Sequence, residues 1–171
     1  MIVYIYGRRN SGKSAYAEER TCLLGDKRIY LATMVVMDKD GEARVEKHRQ
    51  MRADKGFITI ECPVDVDKAD IGDGEGVVLL ECISNLVGNE LFRSDRERKP
   101  DGHLDVEGTV DYVLNEVEAL AKKVKNLVIV SSLYDDENLT MDEDTASYIR
   151  TLSEVNDRLK DIADESICVE R

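Results

Sequence analysis

The chain has 171 residues, of which 42% are hydrophobic and 35% are charged, and its net charge at pH 7 is −12. This length suits a single domain over residues 1–171 with a core of its own. The acidic balance argues against a protein that binds nucleic acid through a basic face. No apolar run approaches the ~20 residues of a membrane span, and no secretory signal is present. We therefore expect a complete cytoplasmic protein.

Short apolar runs alternate with amphipathic segments along the chain. In chain order, the sequence predicts a strand at Ile2–Tyr6, a helix at Lys13–Leu24, a strand at Arg28–Ala32, a helix at Asp38–Asp54, strands at Phe57–Cys62 and Val77–Glu81, a helix at Cys82–Phe92, an exposed loop at Ser94–His103, a helix at Leu104–Lys123, a strand at Leu127–Val130, a helix at Met141–Asp164 and an edge strand at Ser166–Val169. This alternation predicts an α/β fold with a mostly parallel sheet and helices on both faces. Ligands of such folds collect at the carboxyl edge of the sheet, which here carries Gly7, Thr33, Glu81 and Ser131.

The clearest motif follows the first predicted strand. It reads Gly7-Arg8-Arg9-Asn10-Ser11-Gly12-Lys13-Ser14, which is the P-loop pattern G-x-x-x-x-G-K-[ST]. The two glycines allow a tight turn whose backbone N–H groups surround an anion, at the positive end of the next helix. Lys13 reaches the outer phosphates, and the Ser14 hydroxyl is a ligand for Mg²⁺. The motif predicts binding of a nucleoside triphosphate; Arg8 and Arg9 either contact phosphate or point to water.

A P-loop needs a carboxylate at the end of another buried strand to organise its metal ion. Glu81 ends the apolar run that begins at Val77, so we predict that it serves Mg²⁺ together with Ser14. Thr33 closes the second strand at the same edge and is a further candidate contact. The alternative for Glu81 is a strand-terminal residue that caps the next helix.

A cluster of basic residues lies on the second predicted helix. Arg44, His48 and Arg52 are spaced i, i+4 and i+8, so they form one row on one face. Flanking cations favour the neutral imidazole, which can attack phosphorus while the arginines hold phosphate oxygens. The alternative is a lone surface histidine on a charged helix. His103, in the polar loop, has little claim to a role.

Taken together, these motifs resemble a known family. The matching segments are Gly7–Ser14, Tyr30–Thr33, the run from Asp38 through His48 to Arg52, Leu79–Ile83 with Asn89, and Val155-Asn156 with Leu159 and Ala163-Asp164. They are similar in order and spacing to the bifunctional adenosylcobinamide kinase / adenosylcobinamide-phosphate guanylyltransferase family. The resemblance spans most of the chain and is most specific in its first part.

The resemblance implies a RecA-like P-loop fold, a homotrimer and a place in cobalamin synthesis. The family phosphorylates adenosylcobinamide with ATP or GTP, and then transfers GMP from GTP to that phosphate through a guanylylated histidine. His48 matches this histidine, and Arg44 and Arg52 match its flanking arginines. Lys13 and Ser14 match the phosphate and Mg²⁺ contacts, and Glu81 matches the acidic residue at the strand end.

The second half departs from the family pattern. Ser131-Ser132-Leu133-Tyr134 stands where the family has Asn-Glu-Val-Gly, and Ile149, Arg150 and Ser153 replace an Arg-Asp pair and a Gly ahead of Asn156. Three alternatives stay open at this point. They are a diverged member with one activity, a protein that only binds nucleotide, and a P-loop kinase for another small molecule.

Overall fold

Apolar side chains at consecutive positions form the strands of the computed structural model, which describes residues 1–134 and 142–170. The strands are β1 (Ile2–Gly7), β2 (Arg28–Ala32), β3 (Phe57–Glu61), β4 (Val77–Glu81), β5 (Asn126–Ser132) and β6 (Glu165–Cys168). The helices are α1 (Lys13–Leu24), α2 (Lys39–Arg52), α3 (Ile83–Leu91), α4 (Val106–Lys123) and α5 (Glu143–Ile162), and short 3-10 turns cover Ala53–Lys55 and Val66–Lys68. None of these helices is apolar over a stretch long enough to cross a bilayer.

The six strands form one sheet in the order β3-β2-β4-β5-β1-β6, and every neighbouring pair is parallel. The predicted α/β fold is therefore confirmed, with a sheet that is wholly parallel. β5 lies between β1, which leads into the P-loop, and β4, which ends in Glu81. The sheet thus brings residues from distant parts of the chain to one carboxyl edge.

Successive side chains of the central strands pack on opposite faces of the sheet. In β5, Leu127 and Ile129 join the cluster under α3, α4 and α5, whereas Val128 and Val130 join the cluster with Ala17 of α1. Strands buried on both faces explain why these runs are apolar without alternation. Helices therefore cover both faces, as predicted.

Aspartate caps explain where two of the helices begin. α4 begins at Val106 instead of Leu104 because the Asp105 carboxylate accepts a hydrogen bond from the backbone N–H of Gly108. Asp142 caps α5 in the same way through Thr145. Met141, the predicted start of that helix, lies outside the described residues. α2 ends at Arg52, two residues before the predicted end, and the chain continues in the 3-10 turn.

Asn156 on α5 joins the helix layer to two strands. Its side-chain oxygen accepts hydrogen bonds from the Tyr4 hydroxyl at 2.8 Å and the Ser131 hydroxyl at 2.6 Å, and its amide donates to the carbonyl of Ser132. All three bonds lie in or beside the buried core. The Asn that matches the family pattern therefore fixes the end of β5, next to the expected ligand edge.

Glu116 on α4 is a buried carboxyl group. One oxygen accepts a hydrogen bond from the backbone N–H of Val66 at 2.8 Å, and the other has no partner among the described residues. Burial, and next the charge of Glu90, raise the pKa of Glu116 to about 8. The unfolded chain ionises this group near the ordinary value of about 4.3. Folding therefore binds a proton between these two values, and stability falls as the pH rises from about 5 toward 8.

We predict that Glu116→Gln removes the loss of stability at rising pH, because glutamine cannot ionise. The free energy of unfolding of the variant, relative to that of the wild type, should rise with pH by up to about 1.4 kcal/mol per pH unit between pH 5 and 7. Denaturant unfolding at pH 5, 6, 7 and 8 measures it. Glu107→Gln, at an exposed position of the same helix, is the control and should show no such trend. Parallel pH profiles for Glu116→Gln and the wild type would contradict the assignment.

Candidate active site

The P-loop lies between β1 and α1 in the arrangement that its sequence predicts. Asn10 and Gly12 have left-handed backbone conformations, with φ of 64° and 87°, which close the turn. Lys13 is buried, and its ammonium donates to the carbonyl of Arg8 at 3.1 Å. No side chain caps the first turn of α1, because Gly12 occupies the capping position. The N–H groups of that turn are therefore available to an anion.

Burial lowers the pKa of Lys13, while the Cys82 thiol and the Glu81 carboxylate act in the opposite direction. A lysine that is desolvated in this way gains most from an anion placed beside it. The structure therefore supports the predicted phosphate contact by Lys13.

Gly7 lies directly against the segment that follows β6. A Cβ atom at this position would lie 2.3 Å from the carbonyl oxygen of Val169 and 2.8 Å from the Ser11 hydroxyl. The chain beyond β6 thus passes directly over the start of the P-loop, where the N–H of Val169 donates to the carbonyl of Tyr6. Only glycine allows this contact.

Ser14 and Glu81 meet as predicted. The Ser14 hydroxyl donates to Oε1 of Glu81 at 2.5 Å, and Oε2 of Glu81 is buried with no hydrogen-bond partner in residues 1–134 and 142–170. A hydroxyl and a carboxylate with a free oxygen are the ligands that Mg²⁺ prefers. This pair therefore fits the predicted metal site.

Thr33 is buried and faces the backbone after β4. Its hydroxyl donates to the carbonyl of Cys82 and accepts from the N–H of the same residue, both at 2.8 Å. The carbonyl of Thr33 accepts from the Asn89 amide at 2.7 Å. These bonds fix the segment that follows Glu81, and a direct nucleotide contact by Thr33 stays a prediction.

The basic row of α2 shares a cleft of about 390 Å³ with the carboxylate partner of the P-loop. Of the predicted site residues, the cleft is lined by Arg9, Arg44, His48, Arg52 and Glu81. Glu81 connects this cleft to Ser14 through the hydrogen bond described above. The structure thus joins the two motifs that the sequence identified separately, and it does so at the carboxyl edge of the sheet.

Arg52 is buried, and its guanidinium lies 3.4 Å from the ring centre of Tyr30. Two of its nitrogens, Nε and Nη1, and Nδ1 of His48 are buried and have no hydrogen-bond partner in the part of the chain that the structure describes. Within residues 1–134 and 142–170, the ion pairs include none of the cleft arginines Arg9, Arg44 and Arg52. In a chain with a net charge of −12, three arginines in one cleft that form no ion pair among the described residues indicate a site for a multivalent anion.

Sequence reasoning missed Tyr30, Ser84, Asn85, Ser132 and Tyr134 as residues that line the cleft. Tyr30 was named only as part of a family segment, because a tyrosine inside a buried strand looks like core. Burial and the neighbouring Glu81 carboxylate raise the pKa of its hydroxyl. The N–H of Ser132 donates to the Ser84 hydroxyl at 3.0 Å, which places both residues at the cleft wall.

The departures from the family pattern fall in two places. Ser132 and Tyr134 line the cleft, so this change lies beside His48 and Glu81. Ile149 and Ser153 line a second cavity of about 120 Å³ together with Asn156, and Tyr134 lines this cavity as well. Arg150 is exposed and pairs with Glu143.

The fold and the site define a P-loop nucleotide-binding protein with a histidine in its phosphate cleft. The sequence profile of the family described as "Cobinamide kinase / cobinamide phosphate guanyltransferase" (CobU) matches residues 3–171. The chain therefore belongs to this family, as its motifs predicted. The family is one of transferases, so the predicted enzyme class is confirmed.

Two curated relatives carry the name bifunctional adenosylcobalamin biosynthesis protein CobU. The protein from Escherichia coli is 39% identical over 106 residues, which cover 59% of this chain and 56% of the relative. The protein from Salmonella typhimurium is 28% identical over 96% of this chain and 93% of the relative. Among solved structures, the RadB recombinase is 15% identical, with a TM-score of 0.43 over 87% of this chain and 70% of its own.

We predict that Ser14→Ala weakens GTP binding only when Mg²⁺ is present. The substitution removes one ligand of the metal and leaves Lys13 and the backbone N–H groups in place, so affinity in Mg²⁺ should fall about tenfold. Titration of a fluorescent GTP analogue, with Mg²⁺ or with EDTA, measures both values. Ser11→Ala is the matched control within the loop. Equal losses with and without the metal would argue against a metal-binding role for Ser14.

Proposed function

We propose that this protein phosphorylates adenosylcobinamide with GTP or ATP, and then transfers GMP from GTP to the resulting phosphate through a guanylylated His48. One observation carries the proposal: His48, Arg44 and Arg52 line the same cleft as Glu81, which is hydrogen-bonded to Ser14 of the P-loop. A triphosphate held by the loop therefore has an imidazole and two guanidinium groups beside its chain.

In the first reaction, the P-loop holds the nucleotide by its outer phosphates. Lys13 and the first N–H groups of α1 neutralise these oxygens, and the substrate hydroxyl attacks the γ-phosphorus. Bound Mg²⁺, held by Ser14 beside Glu81, would neutralise phosphate charge. In this proposal, Oε2 of Glu81, which has no hydrogen-bond partner among the described residues, takes the hydroxyl proton. The products are the phosphate ester and the nucleoside diphosphate.

In the second reaction, a neutral nitrogen of His48 attacks the α-phosphorus of GTP. A phosphoramidate bond forms while the bond to the leaving pyrophosphate breaks. Arg44 and Arg52 stabilise the charge on the phosphoryl oxygens. A phosphate oxygen of adenosylcobinamide phosphate then attacks the same phosphorus, and the imidazole is released with its lone pair restored.

A homotrimeric assembly, a cytoplasmic location and the exact corrinoid substrate are carried over from the family resemblance. They are part of the proposal and rest on that resemblance alone. Light scattering of the purified chain tests the assembly state.

A second candidate function is guanylyl transfer without the kinase reaction. It is favoured by Ser132, which lines the cleft at the position of the family's glutamate and offers no carboxylate there. The wild type would then form a GMP adduct but transfer no γ-phosphate from labelled GTP to adenosylcobinamide. Transfer of that label supports the two-reaction proposal instead.

We predict that the wild type, incubated with Mg²⁺ and α-labelled GTP, forms an acid-labile and alkali-stable GMP–protein bond. His48→Ala should abolish it, because no other described imidazole lies in the cleft. His103→Ala, at the remaining histidine of the sequence, is the matched control and should label like the wild type.

Three other results would change the account. Label that persists in His48→Ala would disprove the role of His48. γ-Phosphate transfer without any adduct would indicate a kinase for which His48 is only a phosphate contact. GTP binding without either reaction would indicate a protein that only binds nucleotide.

A further inference from the structure

The helix that carries His48 has almost no apolar face. Of the 14 residues of α2, only Gly41 and Arg52 are buried, and Arg44 is exposed. Surface helices are normally held by an apolar stripe that packs on the core. α2 therefore depends on other contacts to hold its imidazole and guanidinium groups over the cleft.

These contacts are concentrated at its carboxyl end. Arg49 pairs with Glu61 of β3 at 3.2 Å, and Arg52 stacks on Tyr30 of β2 at 3.4 Å. In the 3-10 turn that follows, the ammonium of Lys55 donates to Oε2 of Glu18 at 2.6 Å. The helix is thus attached to the body of the protein by its last turn and by the turn after it.

The contact between Lys55 and Glu18 differs from the other two because Glu18 is wholly buried. It lies on α1, whose first turn is part of the P-loop, and its second oxygen has no partner among the described residues. Arg28 adds a bond on the same side, since its guanidinium donates to the carbonyl of Lys55 at 2.6 Å and to that of Gly25 at 2.7 Å.

A buried ion pair is a weak source of stability, because desolvation offsets much of its attraction. The pair is directional, however, and can therefore hold one helix in a defined position relative to another. In this protein the ion pair connects α1, which follows the P-loop, to the 3-10 turn at the end of α2, the helix that carries His48.

We propose that Glu18 and Lys55 are positioning residues for the guanylylation of His48, an inference that rests on the function proposed above. Seven residues separate His48 from Lys55, which corresponds to about 10 Å of helix. A tilt of about 10° at the Lys55 end moves the imidazole by roughly 2 Å. Displacements of about 1 Å can lower a rate by about a hundredfold.

The test uses the double variant Glu18→Gln/Lys55→Met, which removes both charges together. Lys55→Met alone would leave a buried carboxylate without its partner and is expected to fold poorly. The matched control is Lys27→Met/Asp73→Asn, because Lys27 and Asp73 form an ion pair of 2.7 Å that is exposed and far from the cleft. The single variant Lys55→Arg keeps the charge and should therefore retain most of the wild-type rate of guanylylation.

The maximal rate of GMP adduct formation at saturating GTP should fall by about tenfold or more in the double variant. Phosphoryl transfer to adenosylcobinamide should stay within about twofold of the wild type, because α1 and Glu81 still hold the nucleotide. Amide hydrogen exchange should become faster in residues 39–52 and stay unchanged in β1 and β4.

An equal fall in both reactions, or no fall in adduct formation, would overturn the positioning role. Unchanged exchange in residues 39–52 would also overturn it. Absence of any adduct in the wild type would instead overturn the proposed function, and this inference with it. If the wild type and the double variant form the GMP adduct at the same rate, only the positioning role is contradicted.

Discussion

The hydrogen bond between Ser14 and Glu81 connects two parts of the fold that are not adjacent in the sheet. Ser14 lies in the first turn of α1 after β1, Glu81 ends β4, and β5 lies between the two strands. The two residues can meet because the three parallel strands end at one edge of the sheet. The side chain of Asn156 is hydrogen-bonded to Ser131 and Ser132 and so holds the end of β5 in place. The Thr33 hydroxyl is hydrogen-bonded to the backbone of Cys82, which follows Glu81. The phosphate site and the metal ligands therefore depend on the sheet order.

The second part of the site is built on a different physical basis. α2 is polar and largely exposed, and it reaches the cleft through Arg52, which is stacked on Tyr30, and through the ion pair of Lys55 with Glu18. Arginines that form no ion pair with a carboxylate among the described residues make this side of the cleft attractive to polyphosphate. The P-loop thus faces a helix that is attached at one end.

The sequence was sufficient for features that depend on local pattern. Consecutive apolar residues in β4 and β5 predicted buried parallel strands, and the P-loop spacing predicted the turn between β1 and α1 with Lys13 and Ser14 in the first turn of the helix. Family membership followed from several motifs that occur in the same order. The caps at Asp105 and Asp142 were visible in the sequence, but they shift helix ends by only one or two residues.

Contacts between residues far apart in sequence were not predictable in this way. Nothing local to Glu18 indicates a buried carboxylate paired with Lys55. Gly7 was recognised only as a glycine of the P-loop, although the contact with Val169 also requires glycine there.

The most direct test of the proposed guanylyl transfer is a structure with Mg²⁺ and a GTP analogue that cannot be cleaved between its α- and β-phosphates. We expect the outer phosphates at Lys13 and the α-phosphorus about 3.5 Å from a nitrogen of His48. An α-phosphate directed away from α2, with His48 and Arg44 in solvent, would contradict the proposed guanylyl transfer.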